Sequence, residues 1–201
     1  MKKILFISIA ILSITLMSFV YAEVLNIGDP LPKADATLKD VSGKEITMQK
    51  AKKDNGLLVM FSCNTCPYVV KNQERTNEIC AYAQKMNIGV VVLNSNEAKR
   101  TDDDSFDAMK QYYKAQKYNW YYAVDENSAM ADAFGANRTP ECFLFDKNLK
   151  LAYHGAIDDN PTDASKVNRR HLQIAIDELI GGKDIATKTT RSVGCSIKRK
   201  G

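Results

Sequence analysis

The chain of 201 residues has little proline, 5, and little glycine, 10, and it holds no internal repeat or low-complexity tract. Those shortages exclude collagen-like, solenoid and Pro/Gly-rich disordered chains. An excess of one charge is also missing: 28 Lys+Arg stand against 24 Asp+Glu, dispersed along the sequence, for a formal net charge of +4. No basic arm points to nucleic acid, and the balance singles out no partner. Beyond Val20 no apolar run is long enough to span a bilayer. Five cysteines are too few and too scattered for a disulfide-stapled miniprotein. With 45% apolar and 26% charged residues, the chain suits one well-filled domain and is short for two.

What is present begins with a targeting signal. Lys2 and Lys3 precede an apolar run from Ile4 to Val20 that ends in Val20-Tyr21-Ala22, the pattern of a secretory signal peptide over residues 1–22 with cleavage before Glu23. The mature domain is then 23–201, with 181–201 as a C-terminal tail. The expected location is the bacterial periplasm. The alternative is an uncleaved N-terminal anchor facing the same compartment, because 17 weakly apolar residues approach the lower limit of a span. An oxidising compartment permits disulfides among the five cysteines.

Within the domain, Val41 to Ile46 reads as a hairpin bend into a short edge strand, and Leu57 to Phe61 and Val90 to Leu93 as strands buried on both faces. Pro67 to about Met86 has helical periodicity, and further helices are expected over Ser105–Lys117 and Ser128–Phe134, the latter ending at Gly135. Trp120–Val124, Cys142–Phe145 and Leu149–Tyr153 read as strands, and Leu172 to Ile180 as a final amphipathic helix stopped by Gly181-Gly182. Strands alternating with helices, then a hairpin and a helix, predict an α/β fold with a central mixed sheet flanked by helices on both faces.

The chemistry concentrates in Phe61-Ser62-Cys63-Asn64-Thr65-Cys66-Pro67-Tyr68. A cysteine between a buried strand and a helix N-terminus meets unpaired N–H groups and the positive end of the helix dipole, so Cys63 is expected to have a lowered pKa. Cys66 falls on the same side of the first turn, within disulfide reach, which makes Cys63 the attacking and Cys66 the resolving thiol. A structural zinc site needs a second C-x-x-C or an H-x-x-x-H, and Cys80, Cys142, His154, His171 and Cys195 offer no such spacing. No metal and no cofactor are therefore expected. Farther on, Pro140 stands before an apolar strand, a place suited to a cis bond.

These motifs, with Asp125–Ala136, Thr139–Asp146, Gly155–Asp159 and Gly194-Cys195-Ser196-Ile197-Lys198, resemble the thioredoxin-like redoxin family (AhpC/TSA type), in its peroxiredoxin-like branch with Cys-Asn-x-Cys-Pro-Tyr and a C-terminal Gly-Cys-Ser-Ile-Lys. The resemblance covers Gly28 to Lys198. It implies a thioredoxin fold with Pro140 cis and facing the Cys63–Cys66 pair, and Thr139 offering backbone groups to an extended client. Ser62 replaces the Trp of many thioredoxins. The buried acid often found on the preceding strand is absent, leaving Glu141 as a candidate base for Cys66 or else a surface carboxylate. Thr65 replaces a His of branch relatives, which suggests a less oxidising pair.

Cys80 and Cys142 read as inert core thiols. Cys195 is either a third redox cysteine or a packing residue of the tail, His154 and His171 read as surface or helix-face residues, Asp158-Asp159-Asn160-Pro161 as a turn, and Lys198-Arg199-Lys200 as a solvated end. The expected activity is thiol–disulfide exchange with protein dithiol or disulfide clients and a further redox partner. The first rival is a thiol peroxidase. The Pro seven residues and Thr three residues before a peroxidatic cysteine are Gly56 and Met60 for Cys63, and Val59 and Cys63 for Cys66, although Arg138 could assist a peroxide. The second rival is a copper carrier using both thiolates and His154.

Overall fold

The computed structural model describes residues 23–200; the expected signal peptide lies outside them. The strands are β1 (Leu38–Asp40), β2 (Glu45–Ile46), β3 (Leu57–Ser62), β4 (Gly89–Asn94), β5 (Tyr121–Val124), β6 (Arg138–Thr139), β7 (Glu141–Phe145), β8 (Leu151–Gly155) and β9 (Cys195–Ser196). The helices are α1 (Met48–Ala51), α2 (Pro67–Lys71), α3 (Gln73–Lys85), α4 (Phe106–Ala115), α5 (Ala129–Phe134) and α6 (His171–Ile180). Seven strands form one mixed sheet in the order β2-β1-β5-β4-β3-β7-β8, and β6 and β9 form a separate pair. No helix among the described residues is long and apolar enough to cross a membrane.

The continuous apolar runs are continuous because both faces of the sheet are covered. In β3, Leu58 and Met60 meet Ile79, Cys80 and Ala83 of α3 and Leu172, Ala175 and Ile176 of α6. Leu57, Val59 and Phe61 meet Met48 of α1 and Met130 and Phe134 of α5 on the other face. Alternation along the strand thus serves two cores at once. Phe61, Phe134 and Phe143 pack edge to face with centroids 5.1–5.6 Å apart and fill the space beneath the end of β3. Gly135 stops α5 in the left-handed conformation, φ 67°, as a C-terminal glycine does.

Two expectations change. The helix expected from Pro67 to Met86 is broken at Asn72, whose side-chain amide donates to Tyr68 O at 2.7 Å and to Pro161 O at 2.8 Å. An amide that inserts into the i−4 ladder bends a helix. The Asp158–Pro161 turn does more than reverse the chain: both carboxylate oxygens of buried Asp158 accept from Arg75 Nη1, at 2.8 and 2.6 Å. That ion pair and the Asn72 bond tie the broken helix to the loop after β8. Removing one partner would strand a buried charge, which costs about 3–5 kcal/mol.

β3 lies between parallel β4 and antiparallel β7, with Phe61 opposite both Leu93 and Glu141. The residues after Phe61 therefore emerge beside those before Glu141. This register is what brings Cys63 next to Pro140.

Candidate active site

Three cysteines converge on one residue, Thr139. Cys63 Sγ is 3.6 Å from Thr139 Oγ1, and Cys66 Sγ is 3.4 Å from Thr139 O. Cys195 stands opposite Thr139 in the β6–β9 pair. The Thr139–Pro140 peptide is cis, as expected. The expected Cys63–Cys66 disulfide is not the one present: Cys66 is bonded to Cys195, with Cα atoms 6.2 Å apart, and Cys63 is a free thiol. Of the two readings of Cys195, the structure places it in the cysteine cluster.

The pKa expectation for Cys63 is also reversed. Burial pushes the thiol up, and the charge of Asp104 pushes it further; Thr139 Oγ1 and the N–H groups of Cys66 and Thr65 pull it down less. Two local facts explain this. Cys63 is 1% exposed, and the helix that was to stabilise its thiolate begins only at Pro67 and ends at Lys71. Desolvation outweighs so short a dipole.

Asp104 is the site residue that no sequence motif singles out. It ends the run Asp102-Asp103-Asp104 and is fully buried. It accepts from Asn64 N at 2.9 Å, Asn94 Nδ2 at 2.7 Å and Asn96 Nδ2 at 2.9 Å. Tyr122 joins this network by donating to Asn64 Oδ1 at 2.7 Å. A carboxylate with three N–H donors can stay in the interior, and here it holds the backbone of the residue that follows Cys63. Tyr112 flanks the cysteines, and burial raises its phenol to about 12.

The other candidates fall as follows. Glu141 is buried, not a surface carboxylate: Oε2 accepts from Asn137 N at 2.9 Å and Arg138 N at 3.0 Å, and Oε1 lies 2.7 Å from His154 Nε2. It thereby fixes the turn before Pro140. His154 is not a surface residue either, since its ring stacks on Phe143 at 4.4 Å. The Arg138 side chain is exposed. Cys80 and Cys142 are buried core thiols whose pKa values are pushed up by desolvation.

The end of the chain is exposed at Lys198, Arg199 and Lys200, as expected, and is nevertheless tethered to the body. Ile197 N donates to Asn137 O at 3.1 Å, Lys198 N to Asn96 Oδ1 at 2.9 Å, and Arg199 reaches Asp132 Oδ1 and Ala136 O at 2.7 Å each. The Thr139 edge expected to be open to a client is thus filled by β9. Among the described residues no group of three His, Cys, Asp or Glu side chains is set to hold a metal ion.

This architecture has counterparts. A hypothetical protein from Sinorhizobium meliloti 1021 is 31% identical and superposes with a TM-score of 0.80 over 89% of this chain and 97% of its own. An uncharacterised conserved protein from Geobacillus kaustophilus is 31% identical with a TM-score of 0.81, over 87% and 93%. A protein described as a DsbE-type thiol:disulfide interchange protein, from Chlorobium tepidum, shares the fold at 18% identity, TM-score 0.61, over 78% and 99%. No curated protein matches the chain. Residues 26–170 match the Redoxin family, and the chain, with its thioredoxin-like fold, belongs to that family.

Proposed function

We propose that the protein is an exported thiol–disulfide oxidoreductase acting on protein clients, with Cys63 as the nucleophile and Cys66 as the resolving thiol. The observation that carries this reading is the meeting of Cys63, Cys66 and the Cys66–Cys195 disulfide at Thr139. In the reducing direction, Cys63 thiolate attacks a client disulfide and releases one client thiol. Cys66 thiolate then attacks Cys63 Sγ, releasing the second and leaving a Cys63–Cys66 disulfide. Two electrons pass from the protein to the client, and a cellular dithiol restores them.

The peroxidase reading draws no support from the site. The Pro and Thr that precede a peroxidatic cysteine are Gly56 and Met60 for Cys63, and Val59 and Cys63 for Cys66. The experiment is to mix reduced mature protein separately with hydrogen peroxide and with a disulfide-bonded client protein. Client reduction that is lost in Cys63→Ser is the expected result. Fast peroxide consumption with negligible client reduction would overturn it.

A further inference from the structure

In the form described, the chain itself occupies the Thr139 edge beside the cysteines. β9 pairs there in register, Thr139 with Cys195 and Arg138 with Ser196. The approach is tight: a Cβ on Gly194 would lie 2.2 Å from Thr139 O, so only glycine fits directly before Cys195. Two residues after Cys195, Ile197 is buried in the apolar cluster of Phe61 and Phe134. Lys198 N is held by Asn96, which also donates to Asp104, which in turn holds Asn64 N beside Cys63. A short extended segment is therefore recognised at three points: no side chain, then sulfur, then an aliphatic group. That is strand addition at a sheet edge, with main-chain bonds giving affinity and alternate side chains giving specificity.

We propose that Gly194–Lys198 is a built-in client strand: it fills the groove at Thr139 in this oxidised form, departs when Cys63 displaces Cys195 from Cys66, and indicates that true clients are extended segments reading glycine, cysteine, any residue, aliphatic. This rests on the oxidoreductase reading above and names its substrate class. The releasing step is an internal exchange. Cys63 gives up its proton and attacks Cys66 Sγ; the Cys66–Cys195 bond breaks as the Cys63–Cys66 bond forms, and Cys195 leaves as a thiolate and takes up a proton. No electron is gained or lost. Freeing the groove and making the disulfide that accepts electrons from a client dithiol are then one event. Burial of Cys63 and the nearby Asp104 charge push the thiol's pKa up, which opposes the proton loss that this exchange needs.

The test uses the reduced mature chain and two acetylated pentapeptides supplied as symmetric disulfide dimers, Gly-Cys-Ser-Ile-Lys and Val-Cys-Ser-Asp-Lys. The first is expected to be reduced roughly tenfold faster or more. In the reduced chain the strand has lost its covalent tie to Cys66 but still returns to the groove as a tethered competitor at high effective concentration. Gly194→Val abolishes that return, so reduction of the first peptide rises about tenfold. If Gly194→Val does not fold, Ile197→Ser takes its place with the same expectation. Equal rates for the two peptides, or no gain on expelling the strand, with glutathione disulfide still reduced, overturn the proposal and leave the oxidoreductase reading in place. Failure to reduce any of the three disulfides overturns both.

Discussion

Cys80 and Cys63 are buried almost equally, at 0% and 1% exposure, yet they belong to different chemistry. Cys80 sits in the apolar core between the sheet and the helices, and desolvation alone raises its pKa. Around Cys63 desolvation is opposed by Thr139 Oγ1 and two backbone N–H groups, and a disulfide lies within the same small cluster. Burial by itself does not separate an inert thiol from a reactive one. What separates them is whether the surroundings can accommodate the anion and whether a second sulfur is within reach.

The comparison breaks most visibly in activity. Cys63→Ser is expected to lower client exchange by on the order of 10³-fold or more, whereas Cys80→Ala and Cys142→Ala leave it within about twofold of the parent, measured as initial rates of client reduction. The next effect is on stability. Cys142→Ser places a hydroxyl in a fully buried site of the sheet core and is expected to cost about 1–3 kcal/mol, read from urea unfolding, with exchange unchanged.

Alkaline pH sharpens the contrast. Burial raises the pKa of Cys80 and Cys142 in the fold, so above the ordinary thiol range the unfolded chain releases protons that the folded chain retains. Stability therefore falls as pH rises through that range. Replacing both residues with Ala flattens the dependence, which unfolding at a series of pH values would show.

Asp104→Asn removes the charge that holds the Cys63 thiol up. Iodoacetamide labelling of Cys63 is expected to shift to lower pH, at a stability cost of about 1–3 kcal/mol from the weakened N–H bonds. An unchanged labelling profile would mean that burial alone sets this thiol. The smallest effect is at the tail: the half-exposed Arg199–Asp132 pair contributes at most about 1 kcal/mol, so Arg199→Ala changes melting slightly and slows exchange not at all.

What the sequence made legible follows from the range of the forces involved. Strand periods, the helix stop at Gly135 and the strand–C-x-x-C–helix seam are set by neighbours a few residues apart, and they stand in the structure as read. The cis peptide at Pro140 also stands. What was illegible depends on partners far along the chain. Asn72 breaks its helix by bonding to Pro161. Asp104 is one of three consecutive acids, and nothing local distinguishes the one that Asn94 and Asn96 enclose. Glu141 and His154 meet only through the β7–β8 register. The tail docks against Thr139 and against Asn96, the latter 102 residues away in sequence, so nothing local marked its order.

The disulfide between Cys66 and Cys195 closes a ring of chain 129 residues apart in sequence, while one between Cys63 and Cys66 would close almost none. Long rings restrict the unfolded ensemble most, on the order of 4–5 kcal/mol for a span of this size on a chain-entropy account. Two species with the same number of electrons would then differ greatly in how hard they are to unfold. Resistance to denaturation becomes a gauge of where the bond sits, independent of how oxidised the protein is.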